Sequence, residues 1–257
     1  ATRTVLPRRC TLLLVEDNEE MRRYLANFFR QDYQILEAAN GQDGLLMARK
    51  QMPDLIISDV MMPKVDGISF TRQVKADILM CHIPIILLTA RTLVEFEIEG
   101  LETGADDYMV KPFHLPVLAL KVRNQLLALF RMQDKFKQQI ALEPSPIDMP
   151  SPDEALLQKI LAYVEENLSD SNLKIDSVCQ SIGVSRAQLY RKMKALTGYS
   201  MADLIKEVRL KRAQQLLREK KFNVSEVAYM VGFSDPEYFR KNFKAKFGFP
   251  PSEYARR

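Results

Sequence analysis

Four polar groups follow apolar runs in the N-terminal half of this 257-residue chain, and together they could support phosphoryl chemistry. They are Glu16-Asp17 after 12-LLLV-15, Asp59 after 55-LIIS-58, Thr89 after 84-PIILL-88 and Lys111 after 107-DYMV-110. Three neighbouring carboxylates repel one another unless one is neutral or a cation binds among them. A few oxygen ligands with room for water suit Mg²⁺. With a lysine and a hydroxyl beside them, they provide what an acyl phosphate on a carboxylate requires.

The surrounding segments alternate between apolar runs and amphipathic stretches, which predicts strands alternating with helices. In the first predicted helix, Met21, Tyr24, Leu25 and Phe28 fall at helical spacing. The alternation predicts a doubly wound α/β domain whose parallel sheet is covered on both faces. Ligands of such domains bind beyond the carboxyl ends of the strands, where the four polar groups would meet. We predict strands at 12–15, 34–37, 54–58, 84–88 and 106–110, and helices at 18–30, 41–51, after Gly67, near 91–103 and after Phe113.

Each of these groups has a plainer explanation when it is taken alone. An acid after a strand is usually a turn residue or a helix cap, and Lys111 before Pro112 could simply lie at the surface. Four suitable groups at four strand ends of one domain favour a functional site instead.

Residues of about 10–130 resemble the receiver domain of two-component response regulators. The matching segments are 13-LLVEDN-18, 55-LIISDVMMPKVDG-67, 84-PIILLTA-90 and 104-GADDYMVKPF-113. The resemblance implies a flavodoxin-like fold with five parallel strands in the order 2-1-3-4-5. It also implies that Asp59 is the phosphoacceptor and that the chain is a regulator rather than an enzyme.

The same resemblance assigns roles to the other residues. Asp17, Asp59 and the backbone carbonyl of Met61 would bind Mg²⁺ directly, and Glu16 would act through water. Lys111 would contact the phosphoryl group, with a cis bond to Pro112. Thr89 and Tyr108 would form a switch pair, which biases the face made by the predicted helix near 91–103, the next strand and the helix after Phe113.

The second half begins after a proline-rich segment. Apolar residues continue at helical spacing through 120–139, and 143-EPSPIDMPSPD-153 then carries four prolines, as a linker does. Another amphipathic helix is predicted at 154–168. We therefore predict an N-terminal linker at 1–9, a receiver at 10–133, a helical extension and linker at 134–152, and a second domain at 153–257.

The second domain contains an internal repeat. In 178-VCQSIGVS-185 and 227-VAYMVGFS-234, a small residue precedes a glycine by four positions, as in a helix-turn-helix motif. The second helix of each unit is a candidate recognition helix, at 186–198 and 235–248. Equivalent residues shift from 49 to 50 positions apart, which predicts one extra residue in the second turn. A long helix at 201–221 would join the units.

The charge of this domain favours a polyanionic partner. Residues 150–257 hold 19 Lys and Arg against 13 Asp and Glu, a net of +6, whereas residues 1–133 hold 16 against 17. Burial is predicted for Leu189, Met193 and Leu196 in the first recognition helix, and for Phe239, Phe243 and Phe247 in the second. Outward positions would be Arg186, Ala187, Gln188, Tyr190, Arg191 and Lys194, and Pro236, Glu237, Tyr238, Arg240, Lys241 and Lys244. A helical protein-docking domain would also have basic faces, but the duplicated motif favours double-stranded DNA.

Residues of about 153–257 resemble the AraC-type DNA-binding domain, through 183-GVSRAQLYRKMKALTG-198, 208-VRLKRAQQLL-217 and 224-VSEVAYMVGFSDPEYFRKNFKAKFGFPPSEY-254. The resemblance makes Ala187, Tyr190, Arg191, Pro236, Glu237 and Lys241 the expected base readers. A receiver followed by this domain resembles the C-terminal part of a hybrid two-component sensor. That implies a histidine kinase partner, which in a hybrid sensor lies in the same chain, and a homodimer when phosphorylated. A free-standing response regulator stays open.

No apolar run is long enough for a membrane span, and we expect a cytoplasmic location without membrane contact by this segment. Cys10, Cys81 and Cys179 have no metal-like spacing and predict reduced thiols. An Mg²⁺-dependent aspartyl phosphotransferase would need a general acid two residues after Asp59. Met61 holds that position and cannot act as an acid.

Overall fold

A computed structural model describes residues 6, 8–90, 104–139 and 151–254. The chain divides into two compact units, Ala1–Asp134 and Lys135–Arg257. The predicted helix near 91–103 and most of the predicted linker lie outside the described residues.

The first unit contains a sheet of five parallel strands in the order β2-β1-β3-β4-β5, which confirms the predicted topology. The strands are β1 (Thr11–Val15), β2 (Gln34–Ala38), β3 (Leu55–Asp59), β4 (Ile85–Thr89) and β5 (Asp107–Val110). The third and fourth strands begin and end one residue later than predicted. Asp54 lies outside β3, and its carboxylate accepts a hydrogen bond from Thr11 N at 2.8 Å. Asp59 and Thr89 are consequently the last residues of their strands.

Both faces of the sheet are covered, because alternate residues of each central strand enter different cores. Leu12 and Leu14 lie in a core with Leu118 and Val122. Leu13 and Val15 lie in another with Phe70. The helices of this unit are α1 (Glu19–Phe29), α2 (Gly41–Gln51), α3 (Gly67–Ala76) and α4 (Leu115–Gln139). The side chains of Asn18, Asn40 and Asp66 cap the first three at their N-termini.

The buried side of α1 contains only some of the apolar residues that fall at helical spacing in the sequence. Leu25, Ala26 and Phe29 are buried, whereas Tyr24 is 57% exposed and Phe28 is 39% exposed. Two apolar stripes fit this helix, and the one containing Phe29 packs against the sheet while the ring of Phe28 meets that of Phe29 edge-on at 5.1 Å. The periodicity therefore predicts the helix correctly but does not distinguish which of its apolar side chains enter the core.

The segment before β1 is held against the first unit by Arg8. Its Nη1 donates to Asp54 Oδ2 at 2.9 Å, and its Nη2 forms a second ion-paired hydrogen bond with Asp54 Oδ1. The guanidinium carbon lies 5.7 Å from the ring centroid of Phe130, on α4. Arg8 thus joins the start of the domain to the base of the sheet and to its last helix.

The second unit is helical in its described residues. It contains α5 (Pro152–Glu166), α6 (Ile175–Ile182), α7 (Arg186–Thr197), α8 (Met201–Arg218), α9 (Val224–Met230), α10 (Pro236–Phe247) and α11 (Pro251–Tyr254). Ser151 and Glu154 form a capping box that starts α5. Among the described residues, every helix is too short or too polar to cross a bilayer.

Two helix-turn-helix units are present, as predicted. The first is α6 and α7, joined through Gly183 at φ 76°. The second is α9 and α10, joined through Gly232 at φ 79°. Glycine tolerates this left-handed conformation. One residue lies between Gly183 and the cap Ser185, and two lie between Gly232 and the cap Asp235, so the second turn is one residue longer.

Candidate metal centre and nucleic-acid interface

Three carboxylates meet at the carboxyl edge of the sheet. Oxygens of Glu16, Asp17 and Asp59 all lie within 4.8 Å of one another. Glu16 and Asp59 are buried, at 2% and 7% exposure, whereas Asp17 is exposed. Hard oxygen ligands with one open side fit Mg²⁺, which commonly retains several waters. The residues present therefore match the predicted metal.

Lys111 is the cation of this cluster. Its Nζ lies 3.0 Å from Glu16 Oε2 and 3.0 Å from Asp59 Oδ1. Its backbone N–H donates to Thr89 O at 2.6 Å, and its bond to Pro112 is cis, as the resemblance implies. The ammonium group thus bridges the two buried acids.

Burial and pairing act against each other at this edge. Burial raises the pKa of Glu16, and the negative charge of Asp59 adds to that rise, which the hydrogen bond and charge of Lys111 and the hydrogen bond from Asn18 N only partly oppose. Burial lowers the pKa of Lys111, but hydrogen bonds and attraction from Glu16 and Asp59 outweigh it and leave that pKa raised. Lys111 is accordingly a firmly held positive charge beside Asp59.

The backbone around Asp59 is closely packed. Val60 N donates to Asp59 Oδ1 at 2.9 Å, and Gly67 N donates to Val60 O at 2.9 Å. A Cβ on Gly67 would overlap the carbonyl oxygen of Asp59 and would lie 2.9 Å from Val60 Cα. The first residue of α3 must therefore be glycine for the chain to turn this tightly under Asp59.

The other predicted site residues of the first unit differ in how far their side chains are exposed. Thr89 is buried at the end of β4. Tyr108 is half-buried and packs against the core that contains Leu87. Met61 is 63% exposed and lies two residues after Asp59, in the connection between β3 and α3. Arg22 donates to the backbone carbonyl of Glu16 at 2.7 Å and supports the loop that carries the first two acids.

The first recognition helix, α7, buries Leu189, Met193 and Leu196 as predicted. Arg186, Ala187, Tyr190 and Lys194 are exposed, whereas Gln188 and Arg191 are half-buried. Three of these polar side chains already bond to the backbone of the helix or of its caps, and one is Arg191, whose Nε donates to Ala187 O at 3.2 Å. Gln188 Oε1 accepts from Ser185 N at 3.0 Å in the N-terminal capping box, and Lys194 Nζ donates to Gly198 O at 2.8 Å.

The second recognition helix, α10, buries Phe239 and Phe243. Phe247 is only half-buried, contrary to prediction, because it is the last residue of the helix, where its ring lies 4.5 Å from that of Phe243. Pro236 is also half-buried. The exposed positions of this helix include Glu237, Tyr238, Arg240, Lys241 and Lys244.

Both units of the chain match known protein families. Residues 12–123 match the response regulator receiver domain, and residues 178–257 match a helix-turn-helix domain. The chain belongs to the response regulators. In it a receiver precedes a DNA-binding domain of the AraC type.

Relatives of this regulator share one or both domains with it. Histidine kinase P4 of Formosa agariphila is 42% identical over 249 residues, which are 97% of this chain and 18% of that protein. Transcriptional regulatory protein AfsQ1 of Streptomyces coelicolor is 44% identical over 117 residues, 45% of this chain and 51% of that protein. The signal receiver domain of a histidine kinase from Syntrophus aciditrophicus is 31% identical, covers 55% of this chain and 99% of its own, and gives a TM-score of 0.45. The regulator thus spans less than a fifth of the first protein and about half of the second.

Sequence reasoning did not identify three residues that shape these sites. Gly67 was placed only at a helix start, although its position eight residues after Asp59 makes the turn short. Gln188 was assigned outward, although its place three residues after Ser185 is the capping-box spacing. Lys192 was not singled out, yet it is completely buried. Its spacing from Leu189 and Leu196 places it on the apolar side of the helix.

Proposed function

We propose that Asp59 accepts a phosphoryl group from a phosphohistidine of a histidine kinase, and that this controls sequence-specific binding to double-stranded DNA and transcription. The proposal is carried by one arrangement: a buried aspartate beside two further acids and a bound lysine, in a chain with two helix-turn-helix units. Homodimers of the phosphorylated chain in the cytoplasm are part of the proposal.

The acceptor chemistry follows from the positions of the charged groups. An Asp59 carboxylate oxygen would attack phosphorus, the P–N bond would break, and the imidazole would leave with the electron pair and take up a proton. Glu16, Asp17, Asp59 and the Met61 carbonyl would hold Mg²⁺, which would screen phosphate from carboxylate. Lys111, now shared between Glu16 and Asp59, would turn to the transferred phosphoryl oxygens.

The switch would use Thr89, the last residue of β4, and Tyr108, which lies on β5. The hydroxyl of Thr89, at the carboxyl end of β4, would move toward the new phosphoryl oxygens and donate to one of them. The space it leaves would admit the ring of half-buried Tyr108. The two residues would shift the balance between two existing conformations of the surface around β5, rather than create a new conformation.

The kinase is proposed to lie in the same chain, as in a hybrid sensor. The support is a relative named as a histidine kinase that aligns with nearly the whole of this chain. A free-standing response regulator is the alternative. The receiver and AraC-type domains favour a regulator over an aspartyl phosphotransferase, and Met61 stands where such an enzyme needs an acid.

DNA would be read by α7 and α10 from successive major grooves on one side of the duplex. Arg191 would read guanine, Glu237 would accept from cytosine, and Ala187 and Pro236 would give apolar contacts. The exposed lysines and Arg240 would hold phosphates. Gln188 bonds to the N-cap residue of α7, and Lys194 bonds to its C-cap residue. We therefore assign these two side chains to stabilising the helix ends rather than to reading bases.

The proposed function is tested by measuring DNA binding of the chain in its unphosphorylated and phosphorylated forms. Duplexes are selected by the intact chain from a random-sequence pool, and affinity is then measured before and after treatment with acetyl phosphate and Mg²⁺. Phosphorylation is expected to raise specific affinity about tenfold, a typical coupling between two sites. Failure to enrich any sequence would refute DNA recognition, and equal affinity in both states would refute control by phosphate.

Arg191→Ala is expected to weaken binding to the selected duplex about 5- to 150-fold, the value of one bidentate contact to guanine. The Nε of Arg191 donates to Ala187 O at 3.2 Å, which directs the side chain along the helix. The measurement is a titrated footprint on selected and random duplexes. Arg212→Ala, an exposed arginine on α8, should lower both affinities alike or leave both unchanged. An unchanged footprint for Arg191→Ala would show that α7 is not the reading element.

A further inference from the structure

A lysine occupies a core position of the first recognition helix. Lys192 has no exposed surface, and it lies on the same side of α7 as Leu189, Met193 and Leu196. Lysines are almost never fully buried unless they are paired. This basic side chain therefore points into the protein and cannot contact DNA, although it lies next to Arg191 in the sequence.

The partner of this lysine is an acid on another helix. Lys192 Nζ donates to Asp153 Oδ1 at 2.5 Å, and the two residues are 39 positions apart. Asp153 is itself 8% exposed and lies in the first turn of α5. That turn is fixed by the capping box of Ser151 and Glu154. The ion pair thus connects a well-defined helix start to the inner side of the recognition helix.

The second helix-turn-helix unit has a different arrangement at the equivalent place. Fifty residues after Lys192 stands Asn242, which is half-buried. Its Nδ2 donates to Tyr238 O at 2.8 Å, within the same helix. The ionic connection to a distant helix is therefore a property of the first unit and is not a requirement of the motif.

Stability alone does not account for a charged pair at this position. Two desolvated charges usually stabilise a fold no more than apolar side chains of similar volume. A buried pair does, however, accept only one geometry, since any rotation that separates the charges leaves both unsatisfied. Apolar side chains can slide against one another with a smaller change in energy.

We propose that Lys192 is a positioning residue, whose ion pair with Asp153 fixes the rotation of α7 about its axis. This rotation decides whether Arg191 and its exposed neighbours face the bases of the groove. The inference rests on the proposed DNA-binding function and deepens it. Lys192 contributes to discrimination between sequences without touching DNA.

The test removes both charges together. The variant Asp153→Asn/Lys192→Met leaves the net charge of the intact chain unchanged, so the sequence-independent attraction to phosphates should be retained. Affinities are measured at one salt concentration for the duplex selected by the unmodified chain and for a random duplex of equal length. Their ratio is expected to fall at least about fivefold, the value of one base contact, while binding to the random duplex is unchanged.

Matched variants separate positioning from folding. Glu219→Gln/Lys221→Gln removes an exposed pair, 3.4 Å apart, and should keep the ratio. Asp153→Glu keeps the buried pair and should keep most of the ratio. Thermal unfolding confirms that each variant is folded at the assay temperature. Asp153→Leu/Lys192→Met, which leaves no polar group at the buried position, replaces the double variant if that does not fold.

The outcomes are distinct. A folded double variant with an unchanged ratio overturns the inference, and so does an equal fall for both duplexes, which would show a structural role only. An unmodified chain that shows no preference for any duplex would instead refute the proposed function.

Discussion

The variant Asp59→Asn is expected to take up no phosphoryl group from acetyl phosphate and Mg²⁺. The amide nitrogen and oxygen cannot form the acyl phosphate, whereas the nearly identical shape keeps the hydrogen bond from Val60 N. The measurement is the intact mass of the chain after a timed incubation, followed by peptide mapping. The unmodified chain should gain the mass of one phosphoryl group on the peptide that contains Asp59.

Asp66→Asn is the matched control for this experiment. Asp66 lies in the same segment, is exposed, and accepts hydrogen bonds from Ile68 N at 2.9 Å and Ser69 N at 2.8 Å. Asparagine also caps helices well, so this variant should fold and be labelled at the normal rate. Label on the Asp59→Asn chain would show that another residue is the acceptor and would remove the basis of the regulatory proposal.

The variant Gly67→Ala is expected to destabilise the receiver by about 3 kcal/mol, at the upper end for overpacking. Its new methyl group would meet backbone rather than a flexible side chain, so the end of β3 or the start of α3 must shift. That shift would move Asp59 relative to Lys111, and labelling should slow even at temperatures where the variant is folded. Urea unfolding and the acetyl phosphate assay measure the two effects.

Gly104→Ala distinguishes a tight contact from a strained conformation. Gly104 has φ 75°, and a Cβ there would lie 3.5 Å from the nearest atom, Lys75 Cγ. Its cost should be about 1–2 kcal/mol from the left-handed backbone alone, with labelling unaffected. If Gly67→Ala were as stable as the unmodified chain and labelled equally fast, the packing under Asp59 would not position it.

Much of the fold could be predicted because strongly patterned segments leave few choices. The run from Leu55 to Ser58 is apolar enough for a strand buried on both faces, and Asn40 and Gly41 mark the start of α2. The strand order came from the resemblance to receivers. The rotation of α1 could not be predicted, since Tyr24 and Phe28 make as good an apolar stripe as Leu25 and Phe29.

The sequence predicted where the acidic cluster lies in the fold, but not which side chains of the cluster contact one another. Parallel strands bring their carboxyl ends together, so the meeting of Glu16, Asp17 and Asp59 followed from sequence. That Lys111 would bridge two of these acids depends on side-chain geometry. The burial of Lys192 could not be predicted, because its partner lies 39 residues away on a different helix. A lysine in a basic helix is also normally expected to be exposed to solvent.

The contacts of Arg8 have a consequence for how the receiver can be joined to other domains. Arg8, in the segment before β1, contacts both Asp54 and Phe130 on α4, the last helix of the receiver. The segment that leads into the receiver therefore lies beside the helix that leads out of it. A domain whose two ends lie close together can be inserted between two other domains without increasing the distance between them.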